Sequence, residues 1–309
     1  YRRVSNAGKI TETTSDTKRD VVEPNFNGRM GLDVQTGKKT VMGVLVTAYD
    51  NNYIMNAVNT SNVVTNGLPD SSIIIDNVES NHWRSLSGNF NVQHNISANE
   101  NITFNFDYIH YRNSDPVDYD NHYFDAAGNF TRQQKTMTGK ETPISIWVTA
   151  FDYTKRISEK FGFSAGLKQT VSNYSNDISF LTLDGASWVK DNSLSAVYKL
   201  DENYSAGYAS ANMSITKKTE AKLGLRYEYT NSNLETEREK NIVDRHYGRL
   251  FPSVFISHRT DENNSFNISF SRRITRPTFN DLAPFTYYSD PNTLLTGNSA
   301  LQPSISNRR

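Results

Sequence analysis

The sequence predicts an all-β protein, a transmembrane antiparallel up-and-down β-barrel. Three observations lead there. Apolar and polar residues alternate with period two through about ten segments of about ten residues each, and helix-period stripes are scarce. The connections between the segments are short and long in strict alternation. Tyr and Phe, 17 and 16 in number, gather near segment ends although apolar residues make up only 36% of the chain. That is how the two aromatic girdles of a membrane barrel are distributed. Strands in soluble sheets average about 5–6 residues, whereas a tilted membrane span needs about 9–11.

The first span, 26–35, sets Phe26, Met30, Leu32 and Val34 against Arg29, Asp33 and Gln35. It turns at "TGKK" (36–39) into 40–51, which carries Tyr49 toward its far end. Beyond a long connection near 52–82, the span 83–96 places Leu86, Phe90 and Val92 opposite Ser87, Asn89 and Asn91. "SANEN" (97–101) leads to 102–113, with Tyr108 and Tyr111 at the end remote from that turn. After a connection near 114–143 comes 144–154, where Trp147 and Phe151 oppose Ile146 and Val148. That span is less clean, and a bulge or a different register is the expectation there. "ISEK" (157–160) joins it to 161–172, with Phe161, Phe163 and Leu167 against Ser164 and Lys168.

A connection near 173–202 separates this from 203–215, which turns at "TKKT" (216–219) into 219–230. Here Ala221, Leu223, Leu225, Tyr227 and Tyr229 share one face, and Lys222, Gly224, Arg226, Glu228 and Thr230 share the other. Turning those cations to lipid would cost about 2–4 kcal/mol each at the midplane, so the register is strongly set. Lys222, Arg226, Glu228, Arg29, Asp33 and Lys168 are therefore expected to face a wet lumen. The last pair, 251–260 and 264–273, joins at "TDENN" (260–264) after a connection near 231–250. Phe266, Ile268 and Phe270 then run into Arg272, Arg273 and Arg276. This predicts a strand that crosses the bilayer, brings Arg272 and Arg273 out at the headgroup rim, and is stopped by Pro277 before an outer loop, 274–309. Every proline lies in a connection or, as with Pro143 and Pro252, at a strand start.

Equal numbers of basic and acidic residues, 33 each, leave no basic field for nucleic acid. The absence of cysteine excludes disulfides and thiolate metal sites. "YRRVSNAGKI" has no apolar leader, and the chain opens in mid-pattern, so residues are expected before Tyr1. "GFSAG" (162–166) matches a nucleophile elbow, but that motif needs a strand-to-helix turn, and Ser164 lies inside an alternating strand. The six histidines lack metal-ligand spacing, and no phosphate-cradling loop occurs. Asp115, Asp118, Asp120 and Asp125 share one connection and are candidate Ca²⁺ ligands, although an EF-hand's glycine and closing glutamate are absent. Tyr287, Tyr288 and Asp290 set rings beside polar groups and are candidate ligand contacts. No cofactor and no catalytic residue is expected.

The segments "LFPSVFISH" (250–258) and "SFSRRITRPTFNDLAPFTYYSDPNTLLTGNSALQP" (269–303) resemble the C-terminal barrel of TonB-dependent receptors of the Bacteroidetes outer-membrane type. Residues 148–170 and 198–235 also look like hairpins of that family. The resemblance implies an outer-membrane location, a lipid environment and a barrel of about 22 strands, of which residues 1–309 would be a partial domain. It also implies capture of an extracellular ligand (siderophore, glycan or peptide) and energised import, coupled to the TonB system through an N-terminal plug not recognisable in these residues. Alternatives stay open: a plugless outer-membrane barrel for adhesion or structure, an outer-membrane hydrolase, or a soluble carbohydrate-binding sheet.

Overall fold

Alternation of this kind lets one strand after another satisfy its backbone groups against its neighbours, and nearly the whole chain does so. The computed structural model describes residues 1–290 and 293–309; the side chains of Tyr287, Ser289, Asp290 and Thr293 lie outside the described set. β1 (Arg2–Asn6) forms a hairpin with β2 (Lys9–Val22), and β3 (Asn25–Thr36) follows. β2 and β3 lie end to end along one long strand, β4 (Thr40–Thr65). The break between them is at Pro24, which has no N–H to give, although its carbonyl still accepts from Asn52 N at 3.0 Å. The device recurs beside β5 (Leu68–Ser97), flanked by β6 (Glu100–Ser114) and β7 (Val117–Asp125) with Pro116 at the gap.

Then come β8 (Phe130–Arg156), β9 (Phe161–Asp184), the short β10 (Ser187–Lys190), β11 (Ala196–Thr216), β12 (Thr219–Thr236), β13 (Val243–Arg259) and β14 (Ser265–Thr275). A single helical turn, α1 (Phe279–Leu282), and the ribbon β15 (Thr286–Asp290) with β16 (Thr293–Thr296) precede β17 (Ser304–Arg308). Except for the separate β15–β16 ribbon, these strands form one sheet, antiparallel throughout. Its path runs from β1 through β2, β4, β5, β6, β8, β9, β11, β12, β13 and β14 to β17. Among the described residues the path ends at β1 and β17, while β3 pairs only with β4 and β10 only with β9.

Eight of the ten expected spans lie wholly inside these strands, 251–260 and 264–273 each run one residue into the turn between them, and all five short turns are present. The long outer connections are not loops, however. Residues 52–65, 68–82, 117–125, 130–143, 173–184, 196–202 and 243–250 continue the ladders, so that β4 and β5 reach 26 and 30 residues. A membrane span would need only about 9–11 residues, and β4 and β5 run to more than twice that. The tips are tight. Asn66 and Gly67 have φ of 50° and 81°, the paired positive values of a type I′ hairpin turn. Ala7 and Gly8 repeat this with 47° and 80°. Replacing Gly67 by Val is expected to cost about 1–2 kcal/mol, because a left-handed backbone brings Cβ against the following carbonyl. Hydrogen exchange should show this as faster opening of 58–75 alone, with 40–48 and 85–96 unchanged.

The two faces of the sheet differ along their whole width. Met30, Leu32, Met42, Val44, Leu86, Leu167, Leu225 and Ile268 are exposed on one face, in the halves next to the short turns. Above that apolar belt the same face turns charged: His82 meets Asp50 at 3.1 Å and Arg112 meets Glu141 at 3.2 Å. The span 144–154 needs neither a bulge nor a shifted register. Its pairing with β9 runs unbroken from Ile144 to Arg156, Trp147 and Phe151 join the apolar belt, and Ile146 and Val148 stand on the opposite face.

Candidate functional site

The chain leaves β14 as expected, but Arg276 does not emerge into solvent. It turns back over the polar face of β12. Its Nη2 donates to Glu228 Oε2 at 2.7 Å and to Thr230 Oγ1 at 3.0 Å, and its guanidinium lies 4.5 Å over the Tyr204 ring. Arg226 Nε sits 2.7 Å from Glu228 Oε1, off the line of a hydrogen bond, so that contact is ionic. Glu228, with a side chain only 14% exposed, is thus held between two cations.

From this anchor the segment continues as a strap across the outer halves of the strands. Thr278 caps α1 in a capping box with Asp281, whose carboxyl is held below its usual range by the Thr278 hydroxyl and backbone N–H. Phe279, Leu282, Ala283 and Phe285 pack on Ile178, Leu200, Leu234 and Val243. The Phe279 ring stacks on Tyr174 at 6.0 Å, and Tyr198 donates to Pro284 O at 3.3 Å. Farther along, Tyr288 meets Ile73, Ile75, Val117 and Tyr119, with ring centroids of Tyr119 and Tyr288 4.8 Å apart. The return path is tight: a Cβ on Gly297 would lie 2.3 Å from Ala283 O, and Arg245 Nη2 donates to Ser299 O at 3.0 Å. Burying a large apolar side chain is worth about 1.5–3 kcal/mol, so the several buried here keep the strap down.

Beyond the strap's tip a cavity of about 600 Å³ opens on the same face, between β2, β4, β5 and β7. Tyr49, Tyr53, Trp83 and Tyr119 contribute rings, and Asn51, Asn59, Asn77 and Asn81 contribute amides. Its charges are Arg19 against Glu23 and Glu79. Burial pushes the Glu79 carboxyl above its usual range, and the nearby Asp115 adds to this against Asn81, Lys140 and Arg19. A carboxyl with a raised folded value stabilises the fold below the unfolded value and loses that contribution as pH climbs through the raised one. Glu79→Gln is therefore expected to match the native protein in thermal unfolding near pH 4, and to exceed it increasingly as pH rises.

Lys222, Arg226 and Glu228 alternate along one face of β12, and Arg29, Asp33 and Lys168 lie on the same face of β3 and β9. Gly43 makes room there: its Cβ would fall 2.5 Å from Asp33 Oδ1. Arg29, Lys168 and Lys222 have no ion-pair partner among the described residues. Tyr288, expected at a ligand, is buried in the strap's packing instead. The side chains of Tyr287 and Asp290 lie outside the described residues. The four aspartates do not converge. Asp115 pairs with Lys140 at 3.4 Å and Asp120 with Lys135 at 3.4 Å, Asp125 caps its own turn at Ala127 and Asn129, and Asp118 alternates to the opposite face from Val117. Alternation puts Asp118 and Asp120 on the face of β7 opposite Val117 and Tyr119, and turn capping holds Asp125 apart from them. Ser164 Oγ bonds Ser210 Oγ at 2.8 Å on an unbroken strand, without the turn a nucleophile elbow requires.

The model of the outer membrane protein beta-barrel family matches residues 94–308. No curated protein sequence matches the chain. Among solved structures, the ferric-catecholate import receptor Fiu from E. coli K12, in its closed form, superposes with a TM-score of 0.52 at 10% identity, over 96% of this chain and 55% of that one. The siderophore receptor PiuA from Acinetobacter baumannii gives 0.42 at 10% identity, over 88% of this chain and 50% of that one. The fold assignment rests on the first. The chain spans about half the length of both receptors. The apolar belt is thus the lipid-facing side of an outer-membrane barrel wall and the polar face its lumenal side, and the chain belongs to the outer membrane protein β-barrel family.

Proposed function

We propose that this chain forms part of an outer-membrane receptor that takes a ligand from outside the cell and imports it with TonB-coupled energy. The observation that carries the reading is the strap. A segment leaving the outer rim folds inward, anchors on Glu228, and narrows the lumenal face beside a polar cavity. A barrel serving adhesion has no need of a constriction there, whereas an importer must hold its cargo and keep the lumen closed at rest. Siderophore, glycan and peptide are all compatible with that arrangement. The reading gives these residues no bond to make or break: they bind, narrow and release, and the energy enters through TonB and a plug.

The test compares wild-type and deletion strains of the source bacterium for depletion of solutes from spent medium, with and without a protonophore. Energised import predicts at least one solute that only the wild type removes, and only while the proton gradient stands. Identical depletion by both strains, together with no capture of the native protein by the periplasmic domain of TonB, would leave a passive or adhesive barrel.

A further inference from the structure

The cavity beside the strap has a chemistry of its own. Three of its rings, Tyr49, Tyr53 and Trp83, are incompletely buried, and Trp83, in T-shaped contact with Tyr111 at a centroid distance of 5.9 Å, is still 41% exposed. Between the rings the lining is amide. Asn51 donates to Glu23 at 3.1 Å and Asn59 to Thr17 at 2.6 Å, and Asn77 Oδ1 is a buried acceptor with no partner among the described residues. An amide carries two N–H donors and an acceptor with two lone pairs, and the Asn59 acceptor already takes Ser61 Oγ at 2.9 Å. That matches ligand groups which themselves donate and accept, as hydroxyls do.

The charges weigh against an anionic competitor. Arg19 stands alone against Glu23 and Glu79, so an anionic chelate such as a ferric tris-catecholate would enter a site with no net positive charge. The volume of about 600 Å³ lies within the range of about 300–1,000 Å³ for small-ligand sites. Rings that offer flat apolar faces, amides that pair with hydroxyls, and no net positive charge describe one ligand class. We propose that this cavity binds an uncharged oligosaccharide, with Trp83 and Tyr53 as stacking surfaces and Asn59 and Asn77 as hydroxyl partners. The assignment deepens the receptor reading and rests on it. Tyr119 connects the two, because it lines the cavity and its hydroxyl donates to Tyr288 O of the strap at 3.2 Å.

The experiment places the detergent-solubilised native protein on an array of uncharged and acidic oligosaccharides, and titrates a ferric tris-catecholate separately by tryptophan fluorescence. Expected is retention on one or more uncharged glycans, a loss of at least tenfold in Trp83→Ala and in Tyr53→Ala, and near-native retention in Trp83→Phe. All variants are checked for the native heat-modifiable migration on gels, so that a folding defect is not read as lost binding. Retention that ignores both alanine substitutions overturns the site. Absence of retention on any uncharged glycan overturns the ligand class. If the catecholate binds in that case, the receptor reading survives its loss; if the spent-medium comparison is also flat, both fall.

Discussion

Glu228→Ala is expected to release the strap. Removing one partner from a buried ion pair costs about 3–5 kcal/mol, chiefly because the remaining charge is left uncompensated. Here two guanidinium groups would be left facing each other, with Arg276 only 23% exposed. About 3 kcal/mol, at the low end, is the expectation, since Arg226 at 42% exposure retains water. The loss should be local. The ladders on either side of Glu228 continue through Arg249 and Ala206, and their backbone bonds do not depend on its carboxylate. Hydrogen exchange of the native protein should therefore show lost protection in 276–285 and unchanged protection in 219–227. In planar bilayers, conductance should rise. Glu228→Gln keeps an acceptor for Arg276 and should fall between. If 276–285 stays as protected in Glu228→Ala as in the native protein, apolar packing alone holds the strap and the anchor is incidental.

Leu225→Arg tests the membrane reading at its centre. Leu225 is 51% exposed on the lipid face, midway along the apolar run from Ala221 to Tyr229. A cation there should cost about 2–4 kcal/mol in a bilayer, visible as a lower urea midpoint for the protein folded in lipid vesicles. Lys222→Ala, three residues away on the lumenal face, removes a charge with no ion-pair partner among the described residues and should change little. Equal midpoints for both variants would mean that the two faces do not see different solvents.

The parts of the fold legible in the sequence are those where lipid imposes a rule. Inside the belt one face must be apolar, so Leu223, Leu225 and Tyr227 alternate cleanly with Lys222, Gly224 and Arg226. Above the belt both faces meet water or the strap, and the pattern weakens. The hairpin tips at Asn66-Gly67 and Gly185-Ala186 carried recognisable turn chemistry, but expecting spans of only membrane length hid the strands leading to them. The strap was less accessible still. Leu200, Leu234 and Ile178 sit on the lumenal face of β11, β12 and β9, where single apolar residues among polar ones read as noise until Phe279 and Phe285 cover them. The anchor was half visible: the Arg272, Arg273 and Arg276 cluster stood out, while its partner, Glu228, lies 48 residues earlier. The cavity draws on β2, β4, β5 and β7 and has no local signature at all.

The strap also bears on how the wall is assembled. Its contacts run from Val243 on β13 through Leu234, Leu200 and Ile178 to Val117 and Ile75, so it can settle only after those strands have found one another. A strand displaced by a single residue turns its other face inward. A slip in one direction would then present Asp244, Asn233, Asp201, Asp177, Asp118 or Asp76 in place of those side chains. Each of these is a polar group with no place under Phe279, Phe285 or Tyr288. Docking of the strap is thus expected to favour the correct alignment of the wall over slipped ones, because only the native register offers the apolar side chains it covers.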